Sequence, residues 1–327
     1  MGAELPGYRV IKQLGVGAAS KINLAVELKT GRKVAIKSVV RNSSEDDPFI
    51  QQVETEYAVC SKLDHPALRK TYSIHRIRKL LKVSEIILVM EMVDGLSLET
   101  ARPNRLNTFL KVFQRVAEGL HAMHAGGYVH SDIKPTNILI AQGGIIKIID
   151  FGQSCPMNFR KERIQGTPDY IAPEQVNRAP LDARTDVFNL GATRYWLLTS
   201  ENYPTAISGA EMRGKITLTN KDRPLAPVEL NDKIPLALSN LVMECCRESP
   251  ADRPADMKQL LSRLAVVQKL WAKQRESWKA ERPGANVGVG AAIENSPDPD
   301  SGVPTDLDIP DSEDNDANGT SGDEGSA

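Results

Sequence analysis

From Tyr8 to Val40 apolar and polar residues alternate in three short runs, "YRVIKQLG", "SKINLAVEL" and "KVAIKSVV". Gly15, Gly17 and the "KTG" at 29–31 interrupt them, and this pattern predicts strands joined by tight turns. Residues 48–63, "PFIQQVETEYAVCSKL", place Phe49, Val53, Tyr57 and Cys60 close to helical spacing, with Pro48 in front and "DHP" at 64–66 behind to bound a helix. Further strands are expected at 71–78 and 84–92. Past Gly95 the period becomes helical. Residues 105–125 align Leu106, Phe109, Leu110, Phe113, Val116, Ala117 and Leu120 along one side of a long amphipathic helix. Short strands are expected at "NILIA" and "IIKIID", then helices with Pro-marked loops from Asp182 to Lys279. The chain therefore reads as α+β and bilobal: a small β-rich lobe with one helix at 8–90, a connector at 91–95, and a larger α-helical lobe at 96–265.

Composition narrows the class. The 327 residues are 41% hydrophobic and 25% charged, ordinary for a soluble globular protein. No apolar run reaches the roughly 20 residues of a membrane helix. Residues 1–7 lack the basic and apolar regions of a signal peptide, and Pro6 stands where a myristoylation signal needs Ser or Thr. Cys60, Cys155, Cys245 and Cys246 have neither metal nor disulfide spacing, so a reducing cytoplasm is expected, with no membrane or nucleic-acid partner. The net charge of −1 hides an asymmetry. Residues 283–327 carry eleven acids and no Lys or Arg, which leaves +10 on residues 1–282. That acidic tail is expected to be disordered. The basic run 266–282 before it is expected to form a last helix, packed on the large lobe through Trp271 and Trp278.

Three stretches carry the chemistry. "LGVGAASKI" at 14–22 is a Gly-rich turn between strands, where backbone amides can approach phosphate oxygens, although many such turns serve only a hairpin. Lys37 sits on the following strand, and Glu56 on the helix could hold it extended. "HSDIKPTN" at 130–137 places the carboxylate of Asp132, the amine of Lys134 and the carboxamide of Asn137 within six residues, a set suited to chemistry on a phosphate. His121 and His124 have the spacing of a helical metal pair, but nothing nearby completes a site.

Taken in order, "LGVGAASKI", "VAIK", Glu56, "VMEMVDG", "HSDIKPTN", "IIDFG", "GTPDYIAPE" and "TDVFNLG" resemble the eukaryotic-type (Hanks-type) protein kinase family, on its serine/threonine side. The resemblance covers about Tyr8 to residue 265 and implies ATP and Mg²⁺ as cofactors and a protein substrate. It implies that Lys37, oriented by Glu56, contacts the α/β-phosphates, and that Asn137 and Asp150 hold Mg²⁺. Asp132 would accept the substrate hydroxyl's proton, and Lys134 would offset charge on the transferring group. Leu14, Gly15 and Gly17 would cover the phosphates, and Ile22, Ala35 and Leu139 would enclose the adenine. Met90 matches the gatekeeper, and the backbone of Glu91–Val93 the hinge. His130 and Asp186 match internal supports of the catalytic loop, and Glu174 and Arg253 a buried ion pair.

One departure stands out. Many kinases carry an arginine before the catalytic aspartate, where it binds a phosphorylated residue of the activation loop. Here that residue is Ser131, and the loop 155–166, "CPMNFRKERIQG", contains no Ser, Thr or Tyr. Receiver and donor are both absent, so the loop is expected to be ordered without phosphorylation, by local ion pairs or a partner. Arg163 stands about where the modified residue would be, flanked by Glu162 and Lys161. The alternative is a pseudokinase that binds ATP as a scaffold. The complete polar set argues for turnover.

Overall fold

The computed structural model describes residues 5–17, 19–79, 82–208 and 223–281. The small lobe is an antiparallel sheet of β1 (Tyr8–Val16), β2 (Ser20–Glu27), β3 (Lys33–Val40), β4 (Thr71–Lys79) and β5 (Lys82–Glu91), in the order β1-β2-β3-β5-β4. Helix α1 (Asp47–Cys60) packs on it, with Val53 at the centre of a cluster holding Ala35, Leu88 and Met90. The helix ends three residues earlier than its apolar spacing suggested, because Ser61–Leu63 turn the chain towards the His65–Pro66 corner.

In the large lobe α2 (Leu106–Ala125) buries the side that its sequence pattern marked, and α4 (Ala183–Thr199) is buried all round at the lobe's centre. Around them lie α3 (Pro173–Val176), α5 (Pro227–Leu230), α6 (Leu236–Cys245) and α7 (Met257–Glu281). Glu174 of α3 meets the buried Arg253 bidentately, at 2.7 and 2.9 Å. The basic segment expected as a separate helix continues α7 without a break as far as Glu281. Trp271 is buried, and its indole N–H donates to Asn107 Oδ1 at 3.0 Å, which fixes α7 to α2. The acidic tail and the Trp278 side chain lie outside the described residues.

Short strands position the site. β8 (Ile138–Ala141) and β9 (Ile146–Ile148) flank the segments carrying Asn137 and Asp150, with β6 (Gly95–Ser97) beside β8. β7 (Tyr128–Val129) pairs with β10 (Cys155–Pro156) and so ties the start of the activation loop to the start of the catalytic loop. The two-residue β7 and β10 are too short to show any sequence period.

Candidate active site

The cleft between the lobes is built from the small-lobe sheet above and the 130–137 loop below. On β3 the register sets Lys37 opposite Ile22 of β2 and Leu88 of β5, and Ala35 opposite Leu24 and Met90. Ile22, Ala35 and Met90 fall in one apolar cluster, as the wall of a flat aromatic ligand requires. Leu139 of β8 is half-buried on the large-lobe side. Glu91, at the end of β5, accepts from the Lys70 backbone N–H at 3.0 Å and pairs with Lys147 at 2.8 Å, so the connector leading to Val93 is held from two sides. Gly15 sits opposite Ile22 in the β1–β2 hairpin, and the Gly17 N–H donates to Ser20 O at 2.8 Å. A Cβ on Gly17 would meet Ser20 Oγ at 2.8 Å, whereas Gly15 has open space; Leu14 is exposed beside them.

Lys37 Nζ donates to Glu56 Oε2 at 2.8 Å and lies 3.6 Å from Asp150 Oδ1. Burial alone would lower the ammonium's pKa, but Glu56 and Asp150 overcome this and raise it, so the lysine is a fixed cation. Asp150 follows β9 with φ at 62°, an uncommon conformation for a residue with a side chain. Its carboxylate stays 46% exposed towards the cleft. Desolvation by the cleft walls would raise its pKa, but Lys37, then Arg69, bring it below the ordinary value, so it is an anion available to a cation.

Below it, Asp132 Oδ1 accepts from the Thr167 backbone N–H at 3.0 Å and hydroxyl at 2.8 Å. Lys134 Nζ sits 3.0 Å from Asp132 Oδ2 and donates to Thr167 Oγ at 2.8 Å. Asn137 Nδ2 donates to the Asp132 carbonyl at 2.9 Å, which leaves the carboxamide oxygen for a cation. Asp150 and Asn137 thus offer hard oxygens that fit Mg²⁺, which takes few protein ligands and completes its shell with phosphate and water.

The supports are buried. Asp186, fully buried on α4, accepts from the backbone N–H groups of His130 at 2.9 Å and Ser131 at 2.7 Å, and its Oδ2 lies 2.7 Å from His124 Nε2. Burial would raise its pKa, but His124 and the other donors lower it. His124 is therefore engaged with Asp186, and His121 is exposed. Burial holds His130 below the usual histidine range, which keeps it neutral. The Cys155 thiol is buried and pushed up to about 11, which removes it as a reactive thiolate.

Two cations were not singled out by the sequence. Arg69 is buried behind α1, where its Nη2 donates to Glu56 Oε1. Lys161, noted only as a neighbour of Arg163, is 8% exposed and donates to Ser131 Oγ at 2.7 Å and to the Gln153 carbonyl at 2.5 Å. Arg163 is exposed. The loop's inner contact is thus made by hydrogen bonds to neutral oxygens rather than by an ion pair.

A lysine–glutamate pair above a clustered Asp–Lys–Asn loop, with an aspartate between them, is a set of groups that could hold a nucleoside triphosphate and a metal. The protein kinase domain family matches residues 8–264. The chain belongs to that family. Among curated proteins the kinase domain is similar to a probable serine/threonine-protein kinase of Clostridium acetobutylicum, 26% identical over 83% of this chain and 41% of that protein. It is also similar to two serine/threonine-protein kinases of Mycobacterium tuberculosis: PknB, 27% identical over 75% of this chain and 40% of that protein, and PknA, 30% identical over 77% and 59%. The chain spans about half the length of the relatives it matches. Among the described residues, no helix is long and apolar enough to cross a membrane.

Proposed function

We propose that this kinase domain transfers the γ-phosphoryl group of ATP to a serine or threonine hydroxyl of a protein, in the cytoplasm, and does so with an unphosphorylated activation loop. The reading rests on one observation: the Lys37–Glu56 pair and the Asp132–Lys134–Thr167 array are both closed, with the loop held by Lys161. Mg²⁺ would neutralise charge on the β- and γ-phosphates. Lys37 fixes the phosphates, and Asp132 orients the incoming hydroxyl and takes its proton. As the new P–O bond forms, the bond from the γ-phosphorus to the bridging oxygen breaks and ADP leaves. Lys134 offsets charge on the transferring group. Ile22, Ala35, Met90 and Leu139 would enclose the adenine, with the backbone of Glu91–Val93 as its hydrogen-bonding edge.

The test is transfer from labelled ATP with Mg²⁺ to a generic basic protein, by wild type, Asp132→Asn and Asp150→Ala. Incorporation by wild type that both substitutions abolish is expected, with peptide mapping of the active protein showing no phosphate within 155–167. ATP–Mg²⁺ binding without turnover would instead indicate a scaffold. Activity lost on phosphatase treatment and regained by modification of the 155–167 segment would overturn the unphosphorylated-loop reading.

A further inference from the structure

Glu56 is fully buried, and both of its carboxylate oxygens are engaged: Oε2 by Lys37 at 2.8 Å and Oε1 by Arg69. Arg69 is itself buried, its Nε has no hydrogen-bond partner, and Glu56 is its one ion-pair partner among the described residues. The backbone around it is pinned elsewhere. The Arg69 N–H donates to Ile148 O at 3.0 Å and the Ile148 N–H to Ala67 O at 2.7 Å, two residues before Asp150. The next residue, Lys70, exchanges backbone hydrogen bonds with Glu91, giving its N–H to the Glu91 carboxylate at 3.0 Å and accepting from the Glu91 N–H at 2.9 Å. Residues 67–70 therefore connect helix α1, the strand leading to Asp150 and the connector between the lobes.

We infer that Arg69 is a positioning residue that holds α1 against the cleft independently of Lys37 and of bound nucleotide. This rests on the kinase reading for its effect on turnover, but not for its effect on α1. A fully buried carboxylate with a single cation would be left unpaired whenever that cation moved to a phosphate, and an unpaired buried charge drives the helix outward. With Arg69 on the other oxygen, Lys37 can shift towards phosphate while Glu56 keeps a partner. Lys37, Arg69, Glu56 and Asp150 also balance as two cations and two anions, so the cluster needs no ligand to be neutral.

The test follows hydrogen exchange of the α1 segment Val53–Cys60 in the full chain without nucleotide, alongside kcat and the KM for ATP. Lys37→Met is expected to keep α1 protection within about twofold of wild type, and Lys37→Met with Arg69→Met to lose at least about tenfold. Arg69→Met alone is expected to lower kcat about tenfold while the KM for ATP stays within about threefold. Adding Arg69→Met to Glu56→Gln should cost no further protection, because both act on one contact. Should the apolar variant not fold, Arg69→Gln in the Lys37→Met background is expected to lose at least about fivefold. Protection lost as fully in Lys37→Met alone as in the double variant would overturn the inference, as would an Arg69→Met variant with unchanged protection. Absence of turnover in wild type would overturn the kinase reading and leave the exchange result standing.

Discussion

Replacing Lys161 by Met separates the stability of the fold from the order of its activation loop. The ammonium gives two hydrogen bonds, to Ser131 Oγ and Gln153 O, and a bond from a charged donor contributes about 1.5–3 kcal/mol. Against this stands the desolvation of a buried ammonium, several kcal/mol, so exchanging it for an apolar side chain of similar length is close to neutral for the fold. Neither acceptor is orphaned, because Ser131 Oγ still donates to Gln153 O at 2.7 Å. The unfolding free energy of Lys161→Met should therefore stay within about 1 kcal/mol of wild type. The loop, however, loses its inner tether. Methionine fills the space but gives no directed bond to Ser131 or Gln153, so the register of the loop against the catalytic loop is no longer fixed, and kcat should fall by about tenfold. Steady-state phosphotransfer and urea unfolding at several pH values measure both quantities. Burial lowers the folded lysine's pKa below its ordinary 10.5, so between the two values the unfolded chain binds more protons. The stability difference, wild type minus Lys161→Met, should then rise as pH climbs towards 10.5. Unchanged turnover would refute the reasoning. So would a loss of stability large enough to account for the lost turnover.

Thr167→Val removes the hydroxyl that joins Lys134 to Asp132, and kcat should fall by about 10- to 100-fold with little change in the KM for ATP, read by steady-state kinetics. Asp186→Asn leaves the buried N–H groups of His130 and Ser131 short of an acceptor, and should cost about 3–5 kcal/mol in urea unfolding. Its carboxyl is lowered in the fold, so the stability it contributes is present above the unfolded pKa of 3.8 and fades as pH falls through the folded value. Breaking the other buried pair with Arg253→Met should cost a similar 3–5 kcal/mol by the same measurement, with Glu174 left unpaired.

What the sequence disclosed and what it concealed divide along a physical line. Lys37, Asp132, Lys134, Asn137 and Asp150 could be singled out because each lies in a short motif, on a strand, in a six-residue loop or at the end of a short strand, and the order of those motifs resembles the kinase family. The two lobes were legible for the same reason, since period two and period 3.6 are local properties. Arg69 and Lys161 were not, because a charge in a sequence reads as solvated unless a partner far along the chain removes it from water. For Arg69 the partner is Glu56, on the far side of the "DHP" turn. For Lys161 it is Ser131, thirty residues upstream. Ser131 announced that a positive charge was missing but not its replacement, since Arg160, Lys161 and Arg163 all stood nearby. The tertiary structure makes the choice. β10 pairs with β7, Asn158 turns the chain at φ 61°, and the Asn158 and Leu181 N–H groups fasten the loop to the segment before α4. This leaves Lys161 facing inward and Arg163 in solvent. The cation expected on the catalytic loop is supplied from the activation loop, and a neutral serine hydroxyl takes part of the role a phosphate would fill. On the proposed reading such a contact would form with folding rather than with modification, and control of the loop is then to be sought in what displaces Lys161.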